Sequence, residues 1–188
     1  MGRRVLFLGP PGAGKGTQAK MLAGALGVPH ISTGEMLRDA VVAGTDLGKQ
    51  AETIMAAGDL VPDALVVAIV EERLARDDAI CGYLLDGFPR NVAQAKALAA
   101  AVGDDAVEVT VLLQVDEDEL VDRLLKRAAE LGRSDDNVDT IRRRLDVYRV
   151  ETQPLVDYYA DTVVEVDGHG GIEDVFARVA LALAGGER

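Results

Sequence analysis

A glycine-rich run near the start of the chain restricts the possible folds more than any other feature of the sequence. The run is Gly9-Pro10-Pro11-Gly12-Ala13-Gly14-Lys15-Gly16-Thr17; a short apolar segment, Val5–Leu8, precedes it, and a helical pattern follows to Leu26. Its spacing fits GxxxxGK, in which backbone N–H groups and the N-terminus of the next helix surround an anion. The sequence therefore predicts a phosphate-binding loop between a strand and a helix, with Lys15 reaching the outer phosphates.

The run departs from the usual pattern immediately after the lysine. A serine or threonine at that position normally offers its hydroxyl to Mg²⁺. Here the residue is Gly16, and a hydroxyl comes only with Thr17. The sequence leaves open whether Thr17 takes over the contact with a metal ion.

The rest of the chain alternates short apolar segments with segments of helical periodicity. The predicted strands are Val5–Leu8, His30-Ile31, Tyr83–Leu85, Val107–Val115 and Thr162–Val166. The predicted helices span about 14–26, 35–43, 46–57, 62–76, 91–102, 117–130, 138–159 and 172–183. Strands that alternate with helices predict an α/β fold, a parallel sheet covered by helices on both faces. Such sheets bind ligands beyond the carboxyl ends of their strands, so the residues that follow each strand form the candidate site.

Individual residues mark several helix ends. Thr45 and Asn91 are expected N-caps, Gly58 is expected to end the helix that Thr45 begins, and Pro154 is expected to bend the long segment 138–159. The two helical segments between 32 and 61 exceed what one crossover between strands needs. We therefore expect this region to project from the sheet as a subdomain.

Composition excludes several classes of protein. The chain has 32 acidic and 20 basic residues and a formal charge of −12, which argues against general binding to nucleic acid or to anionic membranes. No apolar run reaches the ~18 residues of a transmembrane helix. Cys81 is the only cysteine, so an internal disulfide framework and a cysteine-cluster zinc site are excluded. We expect a single soluble domain in the cytoplasm.

Three further segments carry a resemblance to a known family. They are Ser32-Thr33-Gly34-Glu35-Met36-Leu37-Arg38, Leu85-Asp86-Gly87-Phe88-Pro89-Arg90 and Gly132-Arg133-Ser134-Asp135-Asp136-Asn137. With the glycine-rich run and Arg144-Leu145, the chain resembles the nucleoside monophosphate kinases over nearly its whole length. Among these kinases the chain is most similar to the adenylate kinase family, and specifically to its short form, in which the lid over ATP is a brief loop.

The resemblance implies a P-loop NTPase fold, with a five-stranded parallel sheet, a small helical NMP-binding subdomain and a short lid loop. The single domain, 1–188, would have its core at 1–31, 62–127 and 138–188, its NMP-binding subdomain at 32–61 and its lid at 128–137. The implied activity is the reversible transfer of a phosphoryl group from ATP to AMP, giving two ADP, which serves adenine nucleotide homeostasis. The implied transfer is in line, depends on Mg²⁺ and forms no covalent enzyme intermediate. The resemblance also implies a monomer without zinc.

The resemblance also assigns roles to residues. The implied ATP-binding residues are Gly12, Ala13, Gly14, Lys15, Gly16, Thr17, Arg123, Arg127 and Gly170, with Arg123 against the adenine. The implied AMP-binding residues are Thr33, Arg38, Asp59, Leu60, Val61, Gly87, Phe88, Pro89, Arg90, Gln94, Arg133 and Arg144. The implied catalytic set is Lys15, Arg38, Arg90, Arg127, Arg133 and Arg144. Asp86, at the carboxyl end of a strand, is the expected carboxylate to orient the water shell of Mg²⁺.

Two alternatives remain at this stage. A UMP/CMP kinase shares the short lid and the segment from Gly132 to Asn137, but it typically has alanine and asparagine where this chain has Thr33 and Gln94. A switch module that binds ATP without an acceptor nucleotide belongs to a different class. It would not need the acceptor-side residues Arg38, Arg90 and Gln94.

Overall fold

A five-stranded parallel sheet organises the part of the chain that the structure describes. The computed structural model describes residues 3–131 and 137–185. Its strands are β1 (Arg4–Leu8), β2 (His30–Ser32), β3 (Tyr83–Asp86), β4 (Val109–Gln114) and β5 (Val163–Asp167). They lie in the order β2-β3-β1-β4-β5, and every neighbouring pair is parallel. The predicted α/β architecture is confirmed.

Helices connect these strands and cover both faces of the sheet. Within the described ranges they are α1 (Lys15–Leu26), α2 (Thr33–Val42), α3 (Asp46–Ala57), α4 (Asp63–Leu74), α5 (Val92–Val102), α6 (Glu117–Leu131), α7 (Val138–Val147), α8 (Leu155–Tyr158) and α9 (Ile172–Gly185). Short 3-10 turns occupy Asp77–Ala79 and Asp104–Ala106. Of the predicted lid, 128–131 continue α6, and 132–136 lie outside the described residues.

Alternation along the strands builds one apolar core on each face of the sheet. In β1, Leu6 and Leu8 pack into the core that also contains residues of α4 and α5. Val5 and Phe7 point the other way, into the core shared with α1, α6, α7 and α9. Successive side chains of a strand point to opposite faces. A strand buried on both sides therefore reads as a continuous apolar run, which is why β1 could be predicted from sequence.

The predicted helix caps have the expected chemistry. The Thr45 hydroxyl oxygen accepts a hydrogen bond from the Gly48 amide at 3.0 Å, and Asn91 Oδ1 accepts one from the Gln94 amide at 2.8 Å. Gly58 ends α3 with φ 82°, in the left-handed region that favours glycine. Thr45 and Gly58 therefore mark the two ends of α3, and Asn91 marks the start of α5.

The long helical segment predicted at 138–159 is interrupted before Pro154, and the predicted bend at that residue stays a prediction. The helix leaves regular α geometry at Tyr148, where a π-turn runs to Thr152, and Pro154 then caps α8. Pro154 has no N–H and its ring crowds the carbonyl one turn earlier, so the distortion precedes the proline. The Thr152 hydroxyl in this turn donates to the Arg90 carbonyl at 2.7 Å. The wide turn therefore ties the chain after α7 to the segment after β3.

Helices α2 and α3 pack unusually closely on each other. A Cβ atom added at Gly48 would lie 2.0 Å from the Ala40 carbonyl oxygen of α2. Only glycine permits this approach of the two backbones. The region 32–61 is therefore a tightly packed helix pair between β2 and α4, while its assignment as an NMP-binding subdomain stays a prediction.

The register of the sheet brings the strand ends to one edge. Phe7 of β1 and Ser32 of β2 are both level with Asp86 of β3, and Gln114 of β4 is level with Asp167 of β5. The glycine-rich run and the segments after β3 and β5 therefore emerge beside one another.

Candidate active site

A cavity of about 640 Å³ opens at the carboxyl edge of the sheet. Its wall includes most of the glycine-rich run, the end of β3 and side chains from α2, α6 and α7. Its charged lining residues are Lys15, Lys20, Glu35, Arg38, Asp86, Arg90, Arg123, Arg127 and Arg144. Positive charge dominates this wall although the whole chain is acidic. Such a cavity suits a polyanionic ligand.

Lys15 lies at the centre of the positive charge. Its Nζ donates to the carbonyl oxygens of Gly9 and Pro10, at 2.7 and 2.9 Å. Burial is the main reason that the pKa of Lys15 falls to about 8. Asp86 opposes this shift, while the guanidinium groups at positions 90, 144 and 127 add to it. The ammonium is thus held by the loop itself, within the electrostatic reach of three arginines.

Glycine gives the loop its shape. Gly12 and Gly14 have φ 89° and 91°, and a Cβ at Gly12 would lie 2.9 Å from the Leu120 carbonyl oxygen of α6. A side chain at Gly12 would therefore push α6 away from the loop. Because α6 carries Arg123 and Arg127, this close approach sets the distance of both arginines from the loop.

Four of the arginines in the predicted catalytic set converge on this cavity from separate elements. Arg38 comes from α2, Arg90 from the segment after β3, Arg127 from α6 and Arg144 from α7. Arg90 Nε donates to the Gly87 carbonyl oxygen at 2.9 Å. The remaining predicted arginine, Arg133, lies outside the described residues.

Asp86 is the carboxylate in the wall of the cavity at the end of β3. The Ser32 hydroxyl donates to its Oδ2 at 3.3 Å, and His30 Nε2 lies 3.5 Å from the same atom. Burial opposes ionisation, but His30, Lys15 and Arg90 together hold the pKa of Asp86 below its ordinary value. A Cβ at Gly16 would lie 3.4 Å from Asp86 Oδ2, so the position after the lysine faces this carboxylate. Thr17 also lines the cavity, and its side chain is exposed.

A second, smaller cavity of about 30 Å³ adjoins the first beneath α2 and α3. Its lining includes the predicted acceptor residues Thr33, Asp59, Leu60, Val61, Gly87, Arg90 and Gln94. Thr33 is 3% exposed, and its hydroxyl donates to the Gly87 carbonyl oxygen at 2.7 Å. Gln94 is 1% exposed; its Oε1 accepts from the Arg90 amide at 2.8 Å, and its Nε2 donates to Asp63 Oδ1 at 2.7 Å. Polar groups are therefore fixed in position around an apolar recess.

Among the described residues of the predicted binding sets, three line neither cavity. Ala13 and Phe88 are buried, at 2% and 1% exposure, and Phe88 precedes Pro89 through a cis peptide bond. Gly170 lies in the loop between β5 and α9 with φ 98°. These residues can shape the site through their backbone, but the side chains of Ala13 and Phe88 do not face either cavity.

The loop around Gly170 is held by arginines from two helices. Arg123 Nη2 donates to the Gly168 carbonyl oxygen at 3.0 Å. Arg178 Nη1, from α9, donates to the carbonyl oxygens of Asp167 and His169 at 2.6 and 2.8 Å. Arg123 also pairs with Glu119, so the residue predicted to lie against a nucleotide base is at the same time a support for this loop.

Sequence reasoning missed three residues that support the site. Asp63 holds Gln94, Arg178 holds the β5–α9 loop, and Arg143 forms an ion pair with Asp59 at 2.7 Å. All three act through other residues, and no local pattern marks them. Their roles are visible only from contacts between segments that are distant in the sequence.

Two features typical of other classes of protein are not found within the described ranges. There, no group of three or more His, Cys, Asp or Glu side chains is arranged to hold a metal ion. Nor does any described helix have the length and apolar character needed to cross a membrane.

Comparison with known proteins agrees with the geometry. The sequence profile of the family described as Adenylate kinase matches residues 7–164. An adenylate kinase of Thermobifida fusca is 51% identical over 184 residues, covering 96% of this chain and 97% of the relative. Those of Stenotrophomonas maltophilia and Thermus thermophilus are 48% and 50% identical over 187 residues, covering 97% of this chain and 100% and 98% of the relatives. The predicted resemblance is confirmed: this chain belongs to the adenylate kinase family.

Proposed function

We propose that the protein transfers the terminal phosphoryl group of ATP to AMP, reversibly, and forms two molecules of ADP. The observation that carries this proposal is the cavity of about 640 Å³, whose wall holds five arginines and Lys15 from both the loop side and the α2 side. Two nucleotides that meet head to head repel each other through their phosphates. A pocket with positive charge on both sides offsets that repulsion.

The donor nucleotide would occupy the loop side. Backbone N–H groups of Gly12 to Thr17 would surround its phosphates, with Lys15 at the outer ones. Arg127 would contact the phosphates, while Arg123 and the backbone at Gly170 would hold the adenine. The placement of Arg123 at the cavity wall and on the Gly168 carbonyl supports this arrangement.

The acceptor nucleotide would occupy the side of α2 and α3. Thr33, Gln94 and the backbone of 59–61 would contact the base, and the segment Gly87 to Arg90 would pass along the nucleotide. Arg38 and Arg90 would bind its phosphate, with Arg133 and Arg144 on the lid side. The small cavity next to Thr33 and Gln94 supports this assignment.

These residues suffice for the chemistry because the acceptor needs no activation. The second pKa of a phosphate monoester is about 6, so AMP is already mostly a dianion at neutral pH. In-line transfer spreads negative charge over the moving phosphoryl group. The arginines and Lys15 would position both nucleotides and stabilise that charge in a pocket from which water is excluded.

Mg²⁺ is part of this proposal as the ion that accompanies ATP. The cavity fits it, since Asp86 is held ionised next to Gly16 and Mg²⁺ prefers oxygen ligands and retained waters. Asp86 would orient its water shell, and Thr17 is the nearest hydroxyl after the lysine. When bound, the ion supplies further charge compensation at the phosphates.

The helix pair at 32–61 and the short lid at 128–137 are proposed as covers that close over the two nucleotides. Closure would keep water from taking the phosphoryl group in place of AMP. We further propose a monomeric protein of the cytoplasm that does not bind nucleic acid or membranes. The formal charge of −12 supports the expectation that it does not bind nucleic acid or anionic membranes.

A direct measurement of ADP formation tests the proposed function. The protein is mixed with ATP and Mg²⁺, with and without AMP, and ADP is measured by chromatography. We expect ADP to form only with AMP, and far more slowly with CMP or UMP. Nucleotide loss that does not depend on AMP would point to a switch module, and equal use of AMP and CMP would point to a UMP/CMP kinase.

A substitution at Thr33 tests how the base is selected. Thr33→Ala removes a buried hydroxyl that donates to the Gly87 carbonyl from the wall of the smaller cavity. On the proposed function its oxygen would also accept a hydrogen bond from the base, and one hydrogen bond contributes about 1 kcal/mol. We expect the preference for AMP over CMP, measured as the ratio of kcat/KM values, to fall about fivefold while kcat with AMP changes less. Thr33→Ser keeps the hydroxyl and should retain the preference. A preference unchanged by both substitutions would remove Thr33 from base selection.

A further inference from the structure

The end of helix α3 is attached to helix α7 at three points. Arg143 Nε of α7 lies 2.7 Å from Asp59 Oδ1. The Thr140 hydroxyl of α7 donates to the Ala56 carbonyl oxygen at 3.3 Å. Between these contacts, Gly58 lies against α7 so closely that a Cβ there would be 3.1 Å from Thr140 Cγ2 and 3.2 Å from the Thr140 carbonyl oxygen.

This attachment joins the two sides of the proposed acceptor site. Asp59, Leu60 and Val61, directly after α3, line the smaller cavity. Arg144, which follows Arg143 in α7, lines the larger one. The contacts between α3 and α7 therefore hold the segment 59–61, in the wall of the smaller cavity, at a fixed separation from Arg144, which would bind the acceptor phosphate.

The three contacts are not equivalent. The backbone approach at Gly58 and the hydroxyl of Thr140 determine how near the helices come. The ion pair is the only one of the three that joins opposite charges, and it acts on Asp59, the first residue of the segment 59–61 in the recess wall. Arg143 thus contacts the start of the segment 59–61, although it lines neither cavity.

We propose that Arg143 is a positioning residue for the acceptor nucleotide, acting through Asp59 on the backbone of 59–61. The inference rests on the proposed function, since it assigns the acceptor to this recess. Arg143 and Asp59 are 57% and 42% exposed, so the pair is solvated and its effect is modest. Its loss should weaken acceptor binding without slowing transfer in the fully bound complex.

Calorimetric titration with AMP and steady-state kinetics test this role together. For Arg143→Gln we expect the Kd and KM for AMP to rise about threefold, with kcat and the KM for ATP within twofold of the unsubstituted protein. Arg143→Asp places like charges together and should raise both AMP constants about tenfold. Arg142→Gln, one residue earlier and also exposed, is the matched control and should change neither constant.

The reversed pair distinguishes positioning from a general loss of structure. Asp59→Arg combined with Arg143→Asp restores the attraction with exchanged signs, so AMP affinity should recover to within threefold of the original. The proposal is overturned if Arg143→Gln behaves like Arg142→Gln, if the double variant binds AMP no better than Arg143→Asp, or if kcat falls while the KM for AMP stays constant.

An unsubstituted protein that binds AMP but forms no ADP would refute the proposed function alone, because the titrations would still test Arg143. An unsubstituted protein that does not bind AMP would overturn both.

Discussion

Arg90→Ala is expected to reduce kcat at least tenfold and to leave the fold intact. Arg90 lines the larger cavity and donates from Nε to the Gly87 carbonyl, while its own amide holds Gln94. Removal of one preorganised donor to developing charge typically costs a factor of ~10² to 10³ in rate. The amide contact survives in the alanine variant. The lost side-chain hydrogen bond costs only about 1 kcal/mol of stability.

Rate and stability must be measured on the same preparation of this variant. We would compare kcat at saturating ATP and AMP with thermal unfolding followed by circular dichroism. Arg142→Ala, an exposed position on α7, controls for the loss of a positive charge from the protein as a whole. An Arg90→Ala protein that keeps its full kcat would show that Arg90 does not stabilise the transferring phosphoryl group.

Gly48→Ala is expected to destabilise the protein by about 1–3 kcal/mol, the usual range for overpacking. The added Cβ would lie 2.0 Å from the Ala40 carbonyl oxygen and 2.6 Å from the Val41 amide nitrogen. Both are backbone atoms of α2, so no side chain can move aside and the two helices must separate. For a chain of this length, the midpoint of thermal unfolding should fall by about 2–12 °C. The KM for AMP should rise as well, because both helices belong to the proposed acceptor side.

Gly24→Ala provides the matched control for this substitution. Gly24 is also a helical glycine, in α1, and an added Cβ there meets nothing within 4 Å. Alanine in an open helix interior is favoured over glycine by roughly 0.5–1 kcal/mol, so this variant should be slightly more stable. Equal unfolding midpoints for the Gly48→Ala protein and the unsubstituted one would mean that α2 and α3 do not pack as described.

The fold could be predicted from sequence where local patterns determine it. β1 is an uninterrupted apolar run from Val5 to Leu8, and the residues after it have loop glycines at fixed spacing. The caps at Thr45 and Asn91 bond to amides three residues away. Each of these features depends on neighbours in the chain. The convergence of Arg38, Arg90, Arg127 and Arg144 needed more, namely the rule that ligands bind at the carboxyl edge and the family resemblance.

The remaining features depend on contacts between distant segments. Asp63 supports Gln94 across 31 positions, and Arg143 pairs with Asp59 across 84. Both had the pattern of ordinary exposed charges on helices. The π-turn at Tyr148 was missed because a helix with a proline has several ways to accommodate it, and here the Thr152 hydroxyl engages the Arg90 carbonyl. Pattern reasoning finds residues that touch a ligand more readily than residues that hold them in place.

The hydrogen bonds of Gln94 have a consequence for selectivity. Its Oε1 accepts from the Arg90 main chain and its Nε2 donates to Asp63, so the amide is fixed in one orientation. An amide nitrogen carries two hydrogens and an amide oxygen has two lone pairs, so each end can form one more hydrogen bond. On the proposed function, an arriving purine would meet this remaining donor and acceptor already oriented. A base with the opposite pattern would require the amide to turn over, which would break both existing bonds. Rejection of incorrect bases is therefore part of what such a preassembled amide provides.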